Sequence, residues 1–187
     1  KGKGYALRQG FKYAIAQGYN YAITIDTDGQ HYPDDCLQFL TALEKNEGAL
    51  MIGSRDLSHE NVPGKSTFGR RFSNFWFKIE TGKEMPDTQS GFRLYPIYRY
   101  KKAVFFTRKY EFEIEIIVRS SWKSIPVIAV PIKVFYPTRE ERVTHFRPFK
   151  DFFRISVLNT FLVLIAFLYI KPRDLILRPL REKGIKN

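Results

Sequence analysis

From Gly4 to Ala16, apolar side chains fall at Leu7, Phe11, Ala14 and Ile15, the spacing of one helical face, and the pattern stops at Gly18. Tyr21 to Ile25 then reads as a short buried strand that delivers Asp26. Pro33 to Lys45 predicts a second helix, with Pro33 tolerated in its first turn and Leu37, Leu40, Ala42 and Leu43 turned toward the core. A strand over Ala49 to Gly53 follows, then a helix over Thr67 to Ile79, a loop and strand over Asp87 to Tyr95, a helix around Glu111 to Ser120 and a strand over Ile125 to Phe135. This alternation predicts an α/β sheet of parallel strands covered by crossover helices. Such sheets bind ligands beyond the carboxyl ends of their strands, where the charged residues of this chain collect.

The pattern changes after residue 147. Residues 155–170 carry no charge and include the run Phe161-Leu162-Val163-Leu164-Ile165-Ala166-Phe167-Leu168. A perpendicular crossing needs about 20 apolar residues, with a lower limit near 17, so the run is marginal as a span. Both flanks are basic, with Arg147, Lys150 and Arg154 before it and Lys171, Arg173, Arg178 and Arg181 after it. With no charge asymmetry to orient a crossing, the segment reads as an interfacial or re-entrant helix, the other use of such a run being a buried core or dimer helix. The chain therefore divides into an α/β unit over 1–147 and a membrane-associated segment over 148–187.

Composition narrows the partners. A length of 187 residues suits one hydrophobic core, and a formal charge of +12 asks for an anionic partner: nucleic acid, lipid headgroups or phosphorylated substrates. The one cysteine, Cys36, excludes an intramolecular disulfide and a thiolate zinc cluster, and fits a helix position near the core. No nucleic-acid partner is expected, because Phe and Tyr fall mostly at core spacing instead of interleaving with the basic residues.

The strongest chemical signal is Ile25-Asp26-Thr27-Asp28-Gly29-Gln30-His31, where two carboxylates one residue apart leave a strand and enter a glycine turn. Oxygen ligands of this kind suit Mg²⁺ or Mn²⁺, a hard ion that also holds substrate phosphates. A turn in which Asp26 caps the next helix would use the same residues, so the pair alone does not decide. Its surroundings add more. Lys1-Gly2-Lys3-Gly4-Tyr5-Ala6-Leu7-Arg8-Gln9-Gly10-Phe11 precedes it; Gly53-Ser54-Arg55, Asp87-Thr88-Gln89-Ser90-Gly91-Phe92-Arg93, Glu111-Phe112-Glu113 and Arg142-Val143-Thr144-His145-Phe146 follow in order. Over nearly its whole length the chain resembles glycosyltransferase family 2, and within it the polyprenyl-phosphate branch of the dolichol-phosphate mannose synthase type. Thr144 stands where that branch more often carries Ser, which keeps the hydroxyl.

The resemblance implies a GT-A-like, Rossmann-type sheet and an inverting transfer of a sugar from a nucleotide diphosphate to a polyprenyl phosphate at the cytoplasmic face of a membrane. It implies that Asp26, Asp28 and Gln30 hold Mg²⁺ or Mn²⁺ and the donor diphosphate, with Lys3 near the nucleotide. Arg55, Arg71, Arg93, Arg142, Thr144 and His145 would meet acceptor or donor phosphates, and a guanidinium suits that task through its planar fork and permanent charge. Asp28, Arg55, Asp87 and Arg142 are the candidate catalytic residues. Asp87 would be a base if the acceptor were a saccharide hydroxyl, the alternative within this family; a phosphate acceptor is already an anion, and Asp87 would then position Arg93 or the acceptor loop. His31 is equally suited to a place near the metal and to a structural one. The family opens with a strand and an acidic residue that hold base and ribose, and nothing before Lys1 supplies them, so the sheet is expected to lack its first strand or strands and the chain by itself to be inactive. A homo-oligomer is a further possible partner state.

Overall fold

The computed structural model describes residues 2–55, 64–135 and 148–182, with side chains over 2–55, 67–135 and 150–177. Helix α1 (Lys3–Ala16) leads to β1 (Ala22–Thr24), a 3-10 turn (Pro33–Asp35), α2 (Cys36–Lys45), β2 (Leu50–Arg55) and α3 (Gly64–Thr81). Strand β3 (Arg93–Tyr95), a second 3-10 turn (Ile97–Tyr100), α4 (Glu111–Trp122) and β4 (Val127–Ile132) complete the α/β part. Helix α5 (Pro148–Ile165) then passes through one π turn (Ala166–Ile170) into α6 (Lys171–Glu182).

The sheet order is β1-β3-β2-β4. β4 lies parallel to β2, while β3 runs antiparallel to both β1 and β2. The expected all-parallel sheet is thus corrected to a mixed one: β1, β2 and β4 share a direction and β3 is inserted against it. The strands that point the same way send Asp26 and Arg55 out of the same edge, so the inserted strand does not disturb the site.

Two cores sandwich the sheet. Leu50 and Ile52 of β2 and Tyr95 of β3 pack with Phe11, Phe112, Ile116 and Ile117 of α1 and α4; Met51, Phe92, Leu94, Val130 and Ile132 pack with Phe39 of α2 on the other face. The period-two alternation along β2 makes this division possible. In α2 the buried residue is Phe39, at 0% exposure, while Leu37 and Leu40 are 64% and 48% exposed. The expected core face was displaced because Pro33–Asp35 winds as a 3-10 turn, so the α-helical stripe begins at Cys36 and continues through Phe39, Ala42 and Leu43.

The helix ends are closed by backbone geometry. Gly18 takes φ +86 and lets Tyr19 N donate to Ala14 O at 3.0 Å, a C-terminal cap that needs a left-handed residue. Ser124, at φ 58, plays the same part after α4, with Ile125 N donating to Ser120 O at 3.0 Å. At its start α1 has no side-chain cap; instead Gly4 N and Tyr5 N donate to Lys109 O and Arg108 O, which seats α1 against the start of α4. A β-carbon on Gly4 would come within 2.4 Å of the Phe112 β-carbon, so this approach requires glycine.

Candidate functional site

The docking of α1 on α4 places Lys3, the first residue of α1, beside Glu113 in the first turn of α4. The Lys3 ammonium lies 2.9 Å from Glu113 and 2.7 Å from Asp26, the residue that leaves β1. Burial alone would lower the Lys3 pKa, but the Glu113 and Asp26 carboxylates outweigh it and hold it above the ordinary lysine value. Gly91 closes this cluster: a β-carbon there would sit 2.2 Å from an Asp26 oxygen and 2.7 Å from the Lys3 nitrogen. Thr24 Oγ1 donates to Gly91 O at 3.0 Å, which ties the strand end to that loop.

Asp28 follows on an exposed turn in which Gly29 takes φ +78 and the Asp28 carboxylate accepts from Gln30 N at 3.1 Å. Asp26, Asp28 and Gln30 therefore share one turn at the end of β1. His31 bridges to Val134 of the segment after β4 and sets its ring edge-on to Phe92 at 5.5 Å. Burial lowers its pKa, partly opposed by Asp26 and Asp28.

A second pair stands at the end of β2. Arg55 grips Asp87 through Nε at 2.6 Å and Nη2 at 3.0 Å, while Gln89 N donates to the same carboxylate at 3.0 Å. Asp87 is 0% exposed. The loop it occupies is held from α3: Asn74 Nδ2 donates to Pro86 O, Asn74 Oδ1 accepts from Thr88 N, and Ser73 and Thr88 share a hydroxyl bond at 2.8 Å.

The structure thus brings Lys3, Asp26, Asp28 and Gln30 together, with Arg55 and Asp87 as a pair at the same sheet edge. It does not bring Arg93 to the surface. Arg93 is 1% exposed and donates to the carbonyls of Ser90, Thr88 and Glu113, because its position in β3 points at α4. The expected phosphate contact gives way to bracing of the 88–90 loop, and Asp87 orients Arg55 instead of Arg93. Arg71 is exposed on α3, on no contact with this cluster that the structure describes. Arg142, Thr144 and His145 lie outside the described residues. Glu113 joins the cluster without having been singled out as a site residue; in the sequence it is one of three alternating glutamates, and only the helix tells which of them faces Lys3. Among the described residues no group of three or more His, Cys, Asp or Glu side chains is placed to hold a metal. A divalent ion here would rest on the two aspartates and complete its shell from phosphate and water, as Mg²⁺ commonly does.

Known proteins can be compared with this arrangement. An uncharacterized protein of Methanocaldococcus jannaschii is 30% identical over 141 residues, covering 73% of this chain and 58% of its own. The UDP-N-acetylglucosamine–dolichyl-phosphate N-acetylglucosaminyltransferase of Methanococcus voltae is 29% identical over 141 residues, covering 73% and 56%. The chain therefore spans little more than half the length of these relatives. Glucosyl-3-phosphoglycerate synthase from Mycobacterium tuberculosis, solved with Mn²⁺, UDP-glucose and phosphoglyceric acid, superposes with a TM-score of 0.57 at 18% identity, over 89% of this chain and 55% of that one. That likeness shows the fold, a mixed α/β architecture of GT-A type. The model of glycosyl transferase family 2 matches residues 1–105, which include α1, the Asp26–Asp28 turn, the Arg55–Asp87 pair and Gly91. The chain belongs to glycosyl transferase family 2.

Proposed function

We propose that this chain carries the catalytic part of an inverting glycosyltransferase that moves a sugar from a nucleotide diphosphate to a polyprenyl phosphate at the cytoplasmic face of a membrane. The observation that carries this reading is the Asp26–Asp28 turn with Lys3 and Glu113 gathered beside it. Mg²⁺ or Mn²⁺ held by Asp26 and Asp28, with Gln30 alongside, would supply positive charge against the charge that develops on the departing diphosphate. Lys3 would exchange its contact with Asp26 for a donor phosphate. Arg55, held in one orientation by Asp87, would stand beside the reacting phosphates, and Arg142, Thr144 and His145 are proposed to cover them.

The acceptor class has separate support. Both oxygens of Asp87 are engaged by Arg55, so Asp87 serves as a positioning residue and the cleft does not use it as a base. An acceptor that is already an anion needs no base. The dolichyl-phosphate acceptor named for the Methanococcus voltae relative belongs to that class. For the membrane, α5 continues through the π turn into α6 as one apolar helical run, Lys150–Leu177, that is mostly uncovered by the rest of the chain. It lies along α3 and α4, and its exposed side chains include Phe161, Leu164, Phe167 and Leu168. We read 1–147 as the catalytic unit and 148–187 as the membrane-associated segment.

The test is calorimetric titration of Mn²⁺ into the full chain with a nucleoside diphosphate present, for the parent and for Asp28→Ala. The expected result is loss of Mn²⁺-dependent nucleotide binding in the variant. Equal affinity in both would remove the turn from the donor site.

A further inference from the structure

We propose that Glu115, together with Arg119, is a positioning residue for the donor site: it fixes the 104–109 segment on which the first turn of α1, and with it Lys3, is seated. This rests on the reading of Lys3 as a donor-phosphate contact. Glu115 is 1% exposed. Its carboxylate accepts from Phe106 N at 3.1 Å, from Thr107 N at 2.9 Å and from Thr107 Oγ1 at 2.6 Å, and it pairs with the Arg119 guanidinium one turn later on α4. Arg119 donates in turn to Val104 O at 2.7 Å and covers the Phe105 and Phe106 rings at 5.1 and 5.2 Å. Residues 103–108 form neither helix nor strand, so their backbone donors depend on such partners.

The carbonyls that follow carry this order to α1. Thr107 O accepts from Arg8 Nη1 at 3.3 Å, Arg108 O from Tyr5 N at 2.8 Å and Lys109 O from Gly4 N at 3.2 Å. Two of the N–H groups that a helix start leaves without partners therefore end on this segment. A β-carbon on Gly2 would lie 2.8 Å from Lys109 Cγ, and one on Gly4 would lie 2.7 Å from Lys109 O. Lys3 stands between these two glycines, so a shift of 108–109 is passed to the ammonium that lies 2.7 Å from Asp26. Helix α4 thus holds Lys3 twice, directly through Glu113 and indirectly through Glu115 and the 106–109 segment.

Stability by itself gives no reason for an ion pair at this place, because well-packed apolar side chains of similar volume are often as stable as a buried pair or more so. A carboxylate adds direction, since it holds several donors of one short segment at once.

The experiment compares the full chain with Lys3→Met, Glu115→Gln, Thr107→Val and the Lys3→Met/Glu115→Gln double variant, each checked for parent-like circular dichroism. The first readout is the Lys3 ammonium, followed by NMR in protein labelled with ¹³C at lysine Cε and identified by its absence from Lys3→Met. The charges that hold its pKa above the ordinary lysine value are those of Glu113 and Asp26, so loss of the Glu115 charge does not by itself move it. Glu115→Gln should bring the Lys3 titration back toward the ordinary value; an unmoved titration overturns the proposal. The second readout is calorimetric binding of UDP with Mn²⁺. Lys3→Met should weaken it about tenfold, the worth of one charge-assisted hydrogen bond, and Glu115→Gln should weaken it in the parent but not in the Lys3→Met background. Additive losses would make Glu115 a general brace and overturn the proposal. Thr107→Val removes one Glu115 bond and leaves the ion pair, so it should move both readouts in the same direction by less, and it decides the matter if Glu115→Gln does not fold. If Lys3→Met binds UDP as the parent does, the donor reading of Lys3 falls and the donor-site role of Glu115 with it, whereas a failure of Glu115→Gln alone leaves that reading standing.

Discussion

Two cation–carboxylate pairs meet at the same edge of the sheet and are built for different ends. Arg55 and Asp87 share two parallel hydrogen bonds, the carboxylate is fully buried, and Gln89 N adds a third donor. Lys3 stands between Asp26 and Glu113 as a point charge, with side-chain exposures of 24%, 34% and 9%. A planar fork in a dry site fixes direction, and an ammonium reachable by water can change partners. Under the proposed function, the contrast gives Asp87 the part of fixing Arg55 in one direction and gives Lys3 the part of changing partners.

Breaking the buried pair should have the largest effect. Asp87→Ala leaves the Arg55 guanidinium without its carboxylate and frees the 87–89 loop, and loss of one partner of a buried pair costs about 3–5 kcal/mol. Urea unfolding followed by circular dichroism should show that loss as a lower midpoint at unchanged slope. A cost below about 1 kcal/mol, the range of exposed pairs, would erase the distinction between the two pairs.

Glu80 shows what a buried carboxylate does without such a partner. It is 1% exposed, neither oxygen has a hydrogen-bond partner among the described residues, and burial pushes its pKa from 4.5 up to about 8. Its folded-state pKa lies above the unfolded one, so between these values the unfolded chain has released a proton that the folded chain retains. Stability therefore falls as pH rises from 4.5 toward 8, by up to about 1.4 kcal/mol per unit. Glu80→Gln should remove that slope, leaving the variant more stable than the parent at pH 7 and equal to it at pH 4. Parallel pH–stability curves would mean that Glu80 finds a partner after all.

How much of this was legible in the sequence follows from the range of each interaction. Elements whose signal is local, such as α1 with its stop at Gly18 or the Asp26–Asp28 turn, were readable because periodicity and turn chemistry act over a few residues. The antiparallel insertion of β3 was not, since the three residues of that strand, Arg93–Tyr95, carry no record of their direction. The α2 face shifted because a proline turn changed the winding over one turn, which a periodic count does not register. The partners of Arg93 and Glu113 were equally hidden: both are charged residues in charged motifs, and only the packing of β3 and α1 on α4 decides that one braces a loop and the other meets Lys3.

The smallest effect on stability is expected at Lys3, and it sharpens the comparison most. Lys3→Met removes an ion pair that is partly open to water, and pairs of that kind contribute about 1 kcal/mol or less. The methionine keeps most of the length of the aliphatic stem, and Glu113 retains Arg93 within 3.9 Å. Ligand binding should move in two directions at once. Without the ammonium, Asp26 has no cation to give up, so Mn²⁺ alone should bind more tightly; a nucleoside diphosphate loses a positive contact and should bind more weakly. Calorimetric titrations of each ligand separately into parent and variant would show the opposed shifts. If Lys3 only braces α1 against α4, as Arg55 braces the loop, stability should fall while neither affinity changes sign against the other.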